Sequence, residues 1–297
     1  MPSRGVKNQN PGCELGELTM KCRMARVGAL AVLGILVAGM ALAQNDQNNE
    51  SRPSLKQPTP GEPAKDQKAP GVTPEDAAYQ AVYDARNGDP ANMVELGEAF
   101  ITKYPTSAHE LAVYSLLTPA YVETNQVDKM LDVGGKALQM DPDDIDVLPV
   151  LAWAVPRRVN GQTPEGLQQL QKAQAWARHG IELLNALAKP DGLDEATFDA
   201  AKNEKLSMCH DGLGVVDIKT GKYDDAIAEL TQAMQLGNET DPVDYLLLGL
   251  AQESTSHFAD AIASFTKCAT NGPVQTRCKN GIDDTKKKAA KNVEAPK

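Results

Sequence analysis

A chain of 297 residues with 41% hydrophobic content can bury one or two sizeable cores, so neither a mini-protein nor a wholly unstructured polymer fits. The formal charge is −10, and beyond residue 43 the chain holds 25 Lys and Arg against 38 Asp and Glu, which argues against nucleic acid and anionic lipid as partners. Thirteen aromatic residues against 39 Ala suit closely packed helices and exclude an all-β fold.

Residues 27–43 read VGALAVLGILVAGMALA, without a charge, after Lys21, Arg23 and Arg26. Basic start, apolar middle and small residues at Ala41-Leu42-Ala43 predict a secretory signal over residues 1–43, cut between Ala43 and Gln44. Left uncut, the same run would be a membrane tether. Glu14 and Glu17 suit such a signal poorly, whereas a start at Met20 or Met24 would make it compact. Residues 44–74 then set six prolines among Gln, Asn, Lys and Glu, which predicts a disordered linker with nothing to offset the entropy of ordering.

Beyond Thr73 the helical pattern repeats. Tyr245, Leu248-Gly249, Phe258, Ala261, Phe265 and Pro273 recur 35 residues earlier as His210, Leu213-Gly214, Tyr223, Ala226, Leu230 and Asn238. A looser copy runs Tyr114, Leu117, Tyr121, Val127, Met130, Ala137 and Pro142. The glycines sit in an apolar stripe, at a cost of ~1 kcal/mol each relative to Ala, so close approach of a partner helix is their compensation. Ala226 and Ala261 are expected to supply the matching small surface. Thr73-Pro74, Asp141-Pro142, Thr163-Pro164 and Asp241-Pro242 each place a capping oxygen before proline, predicting four helix starts. Pro119 should kink its helix.

These residues resemble the tetratricopeptide repeat family, in which aromatic, Leu-Gly, aromatic, Ala, Phe and Pro recur at fixed spacing in a helix-turn-helix unit. The resemblance implies an all-α solenoid of about five helix-turn-helix repeats over residues 75–290, closed by a capping helix over residues 277–290 and a disordered tail over residues 291–297. Residues 156–206 exceed what a repeat requires and predict extended helices with a longer loop. Lys286, Lys287, Lys288 and Lys291 read as a solvated helix end.

Cys268 and Cys278 each lie five residues from Pro273, so antiparallel helices would bring them together as a disulfide. Cys209 reads as a small buried residue and His210 as a packed core histidine. A haem-attachment motif would need cysteine where Leu206 stands, and the Cys and His spacings suit no zinc site. Gly212-Leu213-Gly214 lacks the third glycine of a dinucleotide loop, and no G-x-S-x-G or H-E-x-x-H occurs. No catalytic residue, metal or cofactor is expected, and no small-molecule substrate.

In the family, stacked first helices line a concave groove that receives a peptide or partner helix. The stripe opposite the packed one carries Ser115, Trp153, Asp211, Val215, Leu246 and Leu250, and Trp153 is the expected binding anchor. Family members that clamp a C-terminal carboxylate carry Lys, Arg and Asn there; this chain does not, so capture of such a tail is not expected. The expectation is an exported interaction scaffold, periplasmic or secreted, that holds an envelope protein or peptide. The alternative is a self-associating or membrane-tethered spacer.

Overall fold

A capping oxygen followed by proline starts four of the helices. The computed structural model describes residues 72–237, 241–270 and 272–294, so the expected signal and all but the last residues of the expected linker lie outside it. Thr73 Oγ1 accepts from the Asp76 N–H (3.0 Å) and opens α1 (Pro74–Asp84), while the Asp76 carboxylate accepts from Thr73 N–H. Asp89, Thr163 and Asp241 likewise cap α2 (Pro90–Lys103), α6 (Pro164–Ala186) and α9 (Pro242–Ser254). Asp194 caps α7 (Glu195–Thr220) without a proline. Asp141-Pro142 starts no helix. Asp141 accepts from Asp143 N–H, but Asp144 makes a second turn at once, accepting from Asp146 N–H and Val147 N–H, and the next helix begins only at Leu148.

The remaining helices are α3 (Glu110–Glu123), α4 (Val127–Met140), α5 (Leu148–Arg158), α8 (Tyr223–Leu236), α10 (Phe258–Cys268) and α11 (Gln275–Glu294). The eleven helices of the described residues form five sequential pairs, α1/α2 to α9/α10, stacked on one another, with α11 laid against α10 and α9. This is the all-α, five-pair array expected from the repeat. It runs four residues past the expected end at 290, and α3 passes through Pro119 without a break.

Glycine sets how closely the pairs approach. A Cβ at Gly249 would come within 2.6 Å of the Phe265 ring, and one at Gly214 within 2.6 Å of Leu230. Ala226 and Ala261 are fully buried, yet the residue each glycine accommodates is a large one a turn later. Small and large are exchanged in the second pair, where Thr118 holds the first-helix slot and Gly134 the second. Gly134 then faces Leu151 of the following pair.

The centre is irregular because its helices are long: 23 residues in α6 and 26 in α7. Here α7 packs against α5, α6 and α8 at once. Pro156 has no N–H to give the Ala152 carbonyl, and α7 presents Gly212 to that carbonyl. A Cβ there would lie 2.3 Å from Ala152 O, so the two backbones meet. Trp176 on α6 touches three of the four apolar clusters and joins the first half of the array to the second.

Candidate functional site

The first helices of successive pairs present the stripe on which a groove was expected. The array covers most of it. Trp153, Asp211, Val215 and Leu246 are 2%, 0%, 3% and 2% exposed. They form the floor between adjacent first helices and are not a free lining, which corrects the expectation for these four. For Trp153 and Asp211 the physical reason is the α5–α7 approach at Gly212; Val215 and Leu246 are closed by the apolar cluster they share with Leu230 and Phe265. Ser115 and Leu250 remain half-buried.

Within that floor lies a polar cluster. Trp153 Nε1 donates to Asp211 Oδ2 (3.0 Å), and Arg157 Nη2 donates to the same oxygen (2.6 Å). Arg157 Nη1 donates to the Trp153 carbonyl (2.8 Å), and its guanidinium lies over the indole, 4.7 Å from the ring centroid. The sequence reading missed Arg157, although a cation one helical turn beyond Trp153 in an apolar stripe was the available signal. At the end of the same seam, Lys219 Nζ donates to the Val159 carbonyl (2.7 Å).

A second ionic junction ties α7 to the loop before α5. Lys205, 1% exposed, pairs with Asp146, and Ser115 on α3 bonds Asp144. Burial raises the Asp144 carboxyl above the ordinary range, with Asp146 adding to the effect. Burial also pushes Glu123, at the end of α3, up to about 7 and Asp217 on α7 up to about 6.

Towards their C-terminal ends the first helices α7 and α9 surface. On α7 the stripe passes from buried Asp211 and Val215 to half-buried Ile218; on α9 it passes from buried Leu246 to half-buried Leu250. Ile218 and Leu250 edge the same apolar cluster, which also includes Val215, Leu246 and Phe265. Glu253, one turn beyond Leu250, accepts from Thr285 Oγ1 (2.8 Å) and Lys288 Nζ (2.6 Å) of α11.

The cysteines fall as expected: Cys268 and Cys278 form a disulfide with Cα atoms 5.8 Å apart, fixing α11 to α10. Gly281 and Gly249 approach Phe265 from α11 and α9. Cys209 is buried, and desolvation pushes its thiol up to about 12, far from a reactive thiolate. His210 is not a closed core residue; its Nδ1 lies 2.6 Å from Glu229 Oε2 on α8. Among the described residues no group of three His, Cys, Asp or Glu is arranged to hold a metal, and no helix is long and apolar enough to cross a membrane.

No family model matches this chain, and no curated protein does. Among solved structures, it is similar to a thermophilic TPR protein of Thermus thermophilus, at 17% identity and a TM-score of 0.44, over 71% of this chain and 98% of that one. It is also similar to a tetratricopeptide repeat protein of Parabacteroides merdae, at 14% identity and a TM-score of 0.31 over the same shares. The stacked pairs themselves are read from this chain's own packing.

Proposed function

We propose that the protein is an exported interaction scaffold that holds a partner peptide or helix along the surfacing ends of the first helices α7 and α9. The observation that supports this is the pair of half-buried aliphatic residues, Ile218 and Leu250, at the edge of one cluster on successive first helices. Apolar side chains offered from two successive first helices at the edge of one cluster suit a partner that brings its own apolar face. The Trp153–Arg157–Asp211 cluster would hold the floor beneath it. Trp153 is enclosed, so its substitution would report on folding.

Export is supported by the apolar run at residues 27–43 and by a disulfide of the kind that persists in oxidising compartments. Amino-terminal sequencing of the mature chain should give Gln44 first; retention of residues 27–43 would point to a tethered form.

The binding reading is tested by site-specific photo-crosslinking in the native envelope, with the reactive group at Leu250 or, as a control, at exposed Lys172 on the second helix α6. A discrete partner from position 250 alone, lost when Ile218→Asp is added, is the expected result. Equal labelling from both positions, or none from 250, would refute it.

A further inference from the structure

The last helix is charged oppositely to the body it closes. Residues 72–274 hold 14 Lys and Arg against 31 Asp and Glu, whereas α11 holds six Lys and Arg against three Asp and Glu. Its inner face is committed to the chain: Cys278 is bonded to Cys268, Gly281 lies against Phe265, and Thr285 and Lys288 bind Glu253. Lys287 pairs with Asp284 on its own helix. Lys279, Lys286 and Lys291 are exposed, and Lys279 and Lys286 have no carboxylate at ion-pair distance among the described residues.

The opposite end of the array has the complementary character. The α1/α2 pair carries Glu75, Asp76, Asp84, Asp89, Glu95 and Glu98 against Arg86 and Lys103. Asp84 and Glu95 are exposed and make no ion pair among the described residues. Helix α1 packs Ala78, Tyr79 and Val82 inward, bonds Ser107 and His109 through Glu75 and Asp76, and leaves Ala77, Gln80, Ala81 and Asp84 exposed on its other side.

We infer that the basic outer face of α11 docks on the acidic α1/α2 pair of a second copy, joining chains end to end through a heterologous contact. Like charge makes side-by-side approach of two acidic bodies unfavourable, which leaves the basic end as the attractive approach. Ionic screening over ~8–10 Å confines that attraction to near contact, so the association is weak and salt-sensitive.

Sedimentation velocity on the full chain tests this, with two variants: Lys279→Glu/Lys286→Glu/Lys291→Glu and Asp84→Lys/Glu95→Lys. All the altered positions are exposed, and unchanged helical circular dichroism verifies that each variant folds. The wild-type average mass is expected to rise with concentration at low salt, and each variant alone should associate about tenfold or more weakly. An equimolar mixture of the two variants should recover association, because one supplies the basic face and the other the acidic pair. A single-chain mass for the wild type at every concentration would overturn the inference, as would association indifferent to both reversals. Vesicles of phosphatidylglycerol and phosphatidylcholine supply the remaining arm: binding lost in the triple variant, without wild-type self-association, would make lipid the occupant and overturn it too.

Discussion

Arg157 Nη2 donates to Asp211 Oδ2 at 2.6 Å across the α5–α7 seam, and neither side chain keeps more than 3% of its exposure. A pair so enclosed stabilises little relative to apolar packing, but either partner left alone is a buried charge without its counterion. Asp211→Ala should therefore cost about 3–5 kcal/mol. Arg157→Met/Asp211→Leu should cost clearly less than the sum of the single variants. Urea unfolding followed by tryptophan fluorescence measures both, since Trp153 shares the cluster. Additive losses would show that the two side chains act independently.

Two glycines should respond in opposite directions. Gly212→Ala places a methyl group against the Ala152 carbonyl, which is backbone and cannot swing aside, so a loss of about 2 kcal/mol or more is expected. Gly135, inside α4, has nothing within 4 Å of a built Cβ. Gly135→Ala should raise stability by about 0.5–1 kcal/mol through helix propensity alone. Thermal unfolding of the pair gives the comparison.

Glu123 gives the array a pH dependence of definite sign. Its carboxyl is raised by burial to about 7, so the folded state holds a proton that the unfolded chain releases near its ordinary, lower value. The penalty is absent in acid, grows as pH rises from the unfolded value and is complete above about pH 7. Glu123→Gln should therefore raise the melting temperature near pH 8 and change it little near pH 4. An equal shift at both values would remove burial of the charge as the cause.

Reduction of Cys268–Cys278 should cost about 2–3 kcal/mol, the range for a short closed loop, and act first on the end of the array. Limited proteolysis with and without a dithiol should show α11 cut early in the reduced chain while α3 to α6 stay protected. Uniform loss of protection would mean that the bond supports the whole stack.

The architecture was legible because repetition is: Leu213-Gly214 and Leu248-Gly249 recur with the large residues they accommodate, and each glycine needs a helix beside it. The disulfide was legible from two cysteines placed symmetrically about Pro273. The groove was not. A stripe on one helix says which residues share a face, but the closure of Trp153 and Asp211 depends on the approach of α5 and α7, fixed by Gly212 and Pro156 fifty-six positions apart in the chain. The Asp141-Pro142 start failed for a different reason: Asp141 accepts from the Asp143 N–H, but Asp144 then accepts from Asp146 N–H and Val147 N–H and holds the chain in a second turn, so no helix runs on from Pro142.

The two ends of the array are fastened unequally, one by non-covalent contacts alone, with Val82 buried, Tyr79 stacked on His109 and Glu75 and Asp76 bonded to Ser107 and His109, and the other by a covalent bolt beneath α11. Tension between the termini would consequently be relieved by peeling from the amino end, pair after pair, while the carboxyl end held. A molecule built in this way gives under load in one direction, and its extension would follow the order in which the pairs were synthesised.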